Sequence, residues 1–307
     1  MLTLRKRSRI IVSMNRLTRD ERAQILHLLC EGSSIRAVTR LTGASKNTVI
    51  KLMIEAGKAC ADYHDKHVRN VKARRIQCDE IWSFCYAKEK NVRHAKAAPD
   101  GAGNVWTWTA LDADSKLIVS WWVGDRSSST GLVFLRDLKS RLANRVQLTT
   151  DGHGAYLEAV DHSFGEDVDY AMLIKLYGPA PTGPESRYSP SPCVGARKKE
   201  ISGTPDPAHV STSFAERQNL NMRMHMRRFT RLTNAFSKKY ENHAHNIALF
   251  TTYYNFVRIH QTLRVTPAMA AGVTDKLWEI GDIVSVLEQW EFAQALKAKN
   301  PERISVR

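Results

Sequence analysis

Between Ile76 and Asp151 the chain lays down strand-forming runs in a fixed order, and that order restricts the fold more than any other feature. Ile76 to Ala87 reads as one strand. Val105-Trp106-Thr107-Trp108-Thr109-Ala110-Leu111 reads as a second, dense in β-branched and aromatic residues. Asp112-Ala113-Asp114-Ser115 supplies a turn, and Leu117-Ile118-Val119-Ser120-Trp121-Trp122-Val123 is a third strand. A helix over about Ser129 to Leu142 follows, then a strand from Val146 that closes at Asp151, and Tyr170 to Leu176 continues as another. Strands, helix and further strands in this order predict an α/β domain built on a mixed sheet. In open sheets of this kind, sites form at strand ends.

The segment before it has a helical period. Leu17 to Leu29 predicts an amphipathic helix that stops at Gly32, and Ser34 to Leu41 a second, short one. Thr42-Gly43-Ala44 turns the chain, and Ser45 caps a third helix over Lys46 to Glu55, with Val49, Ile50 and Leu52 inward. This is a helix-turn-helix pattern, whose second helix enters the DNA major groove. Lys46, Asn47, Thr48 and Lys51 are its candidate base and phosphate contacts. A plain three-helix bundle shares the pattern. The expected organisation is an N-terminal extension at 1–13, a helix-turn-helix domain at 14–56, a basic connector at 57–75, an α/β domain at 76–257 and a helical tail at 258–307. A Pro-, Gly- and Ser-rich loop or insertion occupies 178–212. The true translation start is either Met1 or Met14.

Charge narrows the partners. Lys and Arg number 46 against 31 Asp and Glu, a formal charge of +15 over 307 residues. Such an excess points to a polyanion, because phosphate contacts supply the sequence-independent part of nucleic-acid affinity. The five cysteines are scattered and form no Cys-x-x-Cys pair. A disulfide framework or zinc finger is not expected, and a reducing cytoplasm fits. No apolar run is long enough to span a bilayer, so no membrane association is expected.

Three acids occupy positions where a site would form. Asp79 lies in the first strand, Asp151 closes the fourth, and Glu216 opens a strongly basic helical stretch. Three carboxylates from distant segments can hold two divalent cations, which together stabilise the attacking and leaving oxygens of an in-line phosphoryl transfer. Glu80 adjoins Asp79, but strand alternation turns it to the opposite face and excludes it as an equal candidate. Asp112 and Asp114 read as turn residues, and Asp125 is a further rival acid. On a helix, Glu216, Asn219, Arg223 and Arg227 share one broad face, and Asn219, Arg223 and Arg227 are candidate DNA contacts. Met222 and Met226 share another face and read as core. His153, two residues past Asp151, is a candidate accessory group. His243 and His245 fall on different helix faces, which argues against a shared metal.

The string Glu216-Arg217-Gln218-Asn219-Leu220-Asn221-Met222-Arg223, with the DEIW run at Asp79 and the TTDGHGAY run at Asp151, resembles the insertion-sequence transposases of the IS1 type. Tyr254-Asn255-Phe256-Val257-Arg258-Ile259-His260 is similar to the tails of several bacterial DDE transposases. The resemblance covers roughly Met14 to Gln289. It implies an RNase H-like core holding two Mg²⁺ or Mn²⁺ ions on Asp79, Asp151 and Glu216. Arg223, seven positions past the glutamate, would sit near a DNA phosphate. It also implies cleavage at transposon ends, strand transfer to target DNA, and at least two copies in a synaptic complex. One departure stands out: no cysteine cluster precedes the helix-turn-helix, which leaves end recognition to that unit alone. Two alternatives stay open, a helix-turn-helix regulator without catalysis and an RNase H-like nuclease that only hydrolyses.

Overall fold

The structure is a computed structural model that describes residues 17–180, 182–183, 191–230 and 233–299. The expected extension at 1–13 lies outside the described residues.

The chain begins with α1 (Arg19–Cys30), fixed at its start by a reciprocal cap. Thr18 Oγ1 accepts from the Glu21 N–H, and the Glu21 carboxylate accepts from the Thr18 N–H. Ser34 caps α2 (Ile35–Thr42), which ends where Gly43 takes a left-handed φ of 73°. Ser45 then caps α3 (Lys46–His67). The sequence suggested a stop at Glu55 and a connector from residue 57. Instead α3 runs unbroken for 22 residues, across that boundary. Tertiary packing extends it. Ala56, Ala59 and Cys60 are buried, and a Cβ on Gly57 would lie 2.2 Å from the His245 carbonyl oxygen.

Six strands follow: β1 (Arg75–Cys85), β2 (Gly103–Asp112), β3 (Ile118–Gly124), β4 (Gln147–Asp151), β5 (Asp169–Tyr177) and β6 (Cys193–Ser202). The one-turn helix α4 (Glu89–Val92) lies between β1 and β2, α5 (Ser128–Arg141) between β3 and β4, and α6 (Ala155–Phe164) between β4 and β5. The sheet order is β3-β2-β1-β4-β5-β6. β1 pairs antiparallel with β2 and parallel with β4, β4 pairs parallel with β5, and β5 antiparallel with β6. A mixed sheet in this order, with helices on its faces, is the RNase H-like architecture. Two elements depart from expectation. Helix α6 was not anticipated; its buried residues Tyr156, Ala159 and Val160 cover β1 and β2. Within the expected loop at 178–212 lies β6, which closes the otherwise open edge of β5.

The two faces of β1 separate the core. Ile76 and Cys78 join one cluster with Trp108, Tyr156 and Phe134, and this cluster continues into α1 and α3 through Leu26, Val49 and Met53. Ile81 and Cys85 join a second with Met222, Met226, Ile247 and Phe250. That second face is covered by α7 (Ser213–His225) and α8 (Tyr240–Thr252). The sequence from Glu241 to Val257 predicts a single helix, but after α8 the chain widens into a π-helical turn, Tyr253–Val257. There the buried Asn255 side chain accepts from the Ile118 N–H (3.0 Å) and donates to its carbonyl (2.9 Å), which satisfies the first residue of β3. The Thr266-Pro267 pair reads as a helix start, and Thr266 does cap α9 (Pro267–Ala270). The apolar spacing of Asp275 to Ala293 predicts an amphipathic helix; α10 (Ile280–Lys299) starts later, where Asp282 accepts from the Glu279 N–H at 2.9 Å. It is no free tail: Ile283, Val284 and Leu287 are buried, and Arg19 and Arg22 of α1 pair with Glu288 and Glu291. N- and C-terminal helices therefore form one body against the sheet. Among the described residues no helix is long and apolar enough to cross a membrane.

Candidate active site

The expected first two acids meet where β1 and β4 part. Their parallel ladder runs Arg75–Gln147, Ile76–Leu148, Gln77–Thr149, which places Asp79 and Asp151 at equivalent positions just past it. Metal-ligating atoms of Asp79, Glu80 and Asp151 all lie within 4.8 Å of one another. The sequence argument that set Glu80 aside is half right. Alternation does send it to the face opposite Asp79, against α6. Its longer side chain still reaches Asp151 at the strand ends.

The neighbours of these carboxylates differ. Asp79 Oδ2 accepts from Asn219 Nδ2 at 2.8 Å, and Oδ1 from the Glu80 N–H at 2.9 Å. Among the described residues no cation pairs with it. Burial, then the charges of Glu80 and Asp151, raise the Asp79 carboxyl to about 7. Glu80 is covered by an ion pair. Arg126 approaches Glu80 Oε1 at 2.6 Å, and the Tyr156 hydroxyl donates to Oε2 at 3.1 Å. Burial and the Asp151 charge push the Glu80 carboxyl up, opposed by Arg126. Arg126 also stands 3.8 Å from Asp151, and its guanidinium lies over the Trp106 ring.

Glu216 arrives on α7, and the fastening of that helix is visible. Gln77 Oε1 accepts from the N–H groups of Phe214 (2.8 Å) and Ala215 (3.2 Å), capping the helix start from β1. Asn219 bonds Asp79 one turn further on. Glu216 lies between these two ties and adds to the negative potential felt by Asp79. Its own carboxylate accepts from Thr212 Oγ1 at 2.5 Å and pairs with Lys175 Nζ at 2.7 Å. It lies outside the close cluster of Asp79, Glu80 and Asp151.

Other expected residues sort as follows. Asn219 is buried and serves Asp79 rather than facing DNA. Arg223 is half-buried one turn beyond it on α7. Arg227 does not share that face: α7 ends at His225, Met226 is extended, and Arg227–Phe229 form a 3₁₀ turn. Burial of Met226 and Phe229 in the second core ends the helix there. Lys46, Asn47 and Lys51 are exposed along α3, while Thr48 is half-buried and bonded to Ser45. The His153 N–H caps Asp151 at 2.9 Å, and its ring meets the Arg126 carbonyl at 3.2 Å, so it orders the strand end. Asp112 and Asp125 accept bonds from turn and helix-start groups and are structural. His243 is buried between Ser83 and Ser237, away from His245. Sequence reasoning missed Gln77, Arg126, Tyr156 and Lys175. Only the Gly-Asp-Arg-Ser run after β3 gave a signal, as a charged turn at a strand end.

No family model matches the sequence, and no curated protein matches it. Solved structures give loose superpositions. A piggyBac transposase synaptic complex with hairpin DNA aligns over 99% of this chain and 77% of its own, at 9% identity and a TM-score of 0.38. The Mos1 mariner paired end complex with Mn aligns over 92% and 80%, at 10% identity and 0.32. The Mos1 strand transfer complex covers 92% and 79%, at 14% identity and 0.28. Superpositions this loose transfer no residue roles.

Proposed function

We propose that the chain is a DDE transposase, which cleaves DNA at element ends and transfers the freed strand to target DNA. The observation that carries this is the convergence of Asp79 and Asp151 at adjacent strand ends, with Glu216 brought alongside by α7. The donor set suits a hard divalent ion. Mg²⁺ and Mn²⁺ accept carboxylate oxygens and complete their shells with water and phosphate. Two features of the site fit such an ion: carboxylates accumulate around Asp79 without a pairing cation, and the buried Asn219 Oδ1 beside it has no hydrogen-bond partner. Asp79, Asp151 and Glu216 would hold two ions. Bound there, the ions would supply Lewis-acid polarisation of the phosphodiester and an activated oxygen nucleophile.

The chain's own residues set the rest. Asn219 orients Asp79, while Gln77 fixes the entry of α7. Arg126 neutralises Glu80, leaving Glu80 a support for Asp151 rather than a ligand. Lys175 holds Glu216 until an ion or a phosphate displaces it. The helix-turn-helix unit, α2 and α3, would place Lys46, Asn47 and Lys51 against DNA, with Arg223 and Arg227 adding phosphate contacts. Joining two element ends requires at least two copies of the chain. The IS1-type assignment rests on the sequence resemblance.

The test is a Mg²⁺-dependent cleavage and joining assay on duplexes carrying the element ends. Asp79→Asn, Asp151→Asn and Glu216→Gln should each abolish cleavage and leave end binding intact. Normal cleavage by any of them removes that residue from the trio. Cleaved ends without joined products would favour the hydrolytic nuclease, and binding without cleavage by the wild type the inactive regulator.

A further inference from the structure

A cleft of about 560 Å³ lies outside the carboxylate site, between the starts of α2 and α3 and the segment that follows α7. One wall carries Ser34, Arg36 and Lys46; the other carries Arg227, Arg228 and Lys238. Among the described residues no Asp or Glu lines it. Among the same residues none of these five cations makes an ion pair, whereas Arg126, Arg141 and Lys175 each do. Arg228 is the clearest case. Its guanidinium is partly buried, and its hydrogen-bond partners are neutral: Ser237 Oγ and, at 2.9 Å, Met53 Sδ. Burial lowers it only to about 10, so it stays charged at neutral pH. A desolvated guanidinium without an anion is costly, and the cost is relieved when an anion enters. The N-terminal ends of α2 and α3 open on the same space and add positive potential.

We propose that this cleft binds the sugar-phosphate backbone of DNA, with Arg228 at its floor and Arg36 and Lys238 at its mouth. Five uncompensated cations exceed what one phosphate ion can neutralise. A nucleic-acid strand brings one charge about every 3.4 Å and can answer all of them. Continuity favours DNA as well. Lys46 lines the cleft and is also the first residue of α3, so a duplex lying along Lys46, Asn47 and Lys51 runs past the opening. The cleft then joins the surface that would read the element end to the chain segment leaving the carboxylate site. The proposal rests on the DNA-binding function above and adds Arg36, Arg228 and Lys238, none of which is among the DNA contacts read from the sequence.

The experiment is fluorescence anisotropy of the full-length protein with an element-end duplex and a scrambled duplex, across a salt series. Arg36→Ala and Lys238→Ala change exposed side chains and keep the fold, which circular dichroism checks; Arg228→Met is the third variant. Each should weaken both duplexes equally, about 5- to 20-fold, and flatten the slope of log K against log salt by about 0.9 for each phosphate interaction removed. Asn47→Ala should instead weaken only the end duplex. Unchanged affinity and slope in Arg36→Ala and Lys238→Ala, with Asn47→Ala still selective, would overturn the cleft and spare the DNA-binding function. A wild type that binds neither duplex overturns both. Inorganic phosphate is the remaining arm, compared with chloride at equal ionic strength. Equal displacement of DNA by the two supports a strand-binding cleft. Selective displacement by phosphate, abolished in Arg228→Met, would make it a single-anion pocket instead.

Discussion

Asp79 and Glu80 are adjacent carboxylates on one strand, and the two faces of β1 give them opposite surroundings. On the α7 face Asp79 meets a neutral amide, Asn219, and, among the described residues, no cation at ion-pair distance; Lys175, paired with Glu216, acts on it only from further off. On the α6 face Glu80 meets Arg126 and the Tyr156 hydroxyl. Glu80 is buried and Asp79 half-buried, and both feel the Asp151 charge. The contrast separates a charge left for an external cation from a charge already answered within the protein. Proximity alone would group Asp79, Glu80 and Asp151; the Arg126 pair sets Glu80 apart, while Glu216 has an ion pair of its own with Lys175.

The sharpest way to break this distinction is to neutralise the two glutamates separately. Glu216→Gln should reduce Mg²⁺-dependent cleavage by about a thousandfold or more, equivalent to about 4 kcal/mol, with the fold unchanged. Glu80→Gln should retain measurable cleavage, within about tenfold, once assayed below its lowered melting temperature. The opposite ranking in single-turnover cleavage rates would make Glu80 the third ligand.

Stability sharpens the same contrast. Glu80→Ala leaves Arg126 without its buried partner and should cost about 2–3 kcal/mol in urea unfolding. That is less than a fully buried pair loses, because Arg126 remains 41% exposed. Glu80→Met combined with Arg126→Met should recover most of the loss, since an apolar pair of similar size carries no desolvation penalty. If the double variant is no better than Glu80→Ala, the ion pair is not what Glu80 contributes.

Much of this arrangement is legible in the sequence, and the rest is hidden for physical reasons. The positions of Asp79 and Asp151 follow from strand runs whose alternation and turn residues are local. The position of Glu216 on the Asp79 side of the sheet does not, because the cap that fixes α7 comes from Gln77, far away in sequence. The Glu80–Arg126–Tyr156 cluster likewise draws on three elements, and no local pattern links them. β6 escapes detection because its exposed Arg197-Lys198-Lys199 run shows no apolar alternation; edge pairing with β5 makes it a strand. The chain beyond His225 looks helical from its charges, but burying Met226 and Phe229 matters more. The extension of α3 past Glu55 depends on Gly57 meeting α8, whereas from sequence that residue is only a helix-weakening glycine.

Asp79 should itself behave as a destabilising residue in metal-free protein. Its folded carboxyl titrates near 7, above the ordinary aspartate value of 3.8, so the native state keeps a proton that the unfolded chain has released. Stability contributed by that proton is complete at low pH and is lost as pH rises through about 7. Asp79→Asn removes the charge and can still accept from Asn219. The variant should be more stable than wild type at pH 8, by about 2 kcal/mol, with the gap closing near pH 4. Mg²⁺ should stabilise the wild type and not the variant. A wild type as stable as Asp79→Asn at pH 8 without metal would show that the charge is already compensated.

The smallest effect concerns how α7 is held. Gln77→Leu removes the acceptor of two helix-start N–H groups and should cost about 1–2 kcal/mol. Its diagnostic value lies in the metal dependence. If Gln77 positions α7, and through it Glu216, the Mg²⁺ concentration for half-maximal cleavage should rise severalfold while saturated cleavage stays near the wild-type rate. A loss of stability with no change in the Mg²⁺ requirement would mean that Asn219 alone, from the other end of the same helix turn, sets the distance between Glu216 and Asp79.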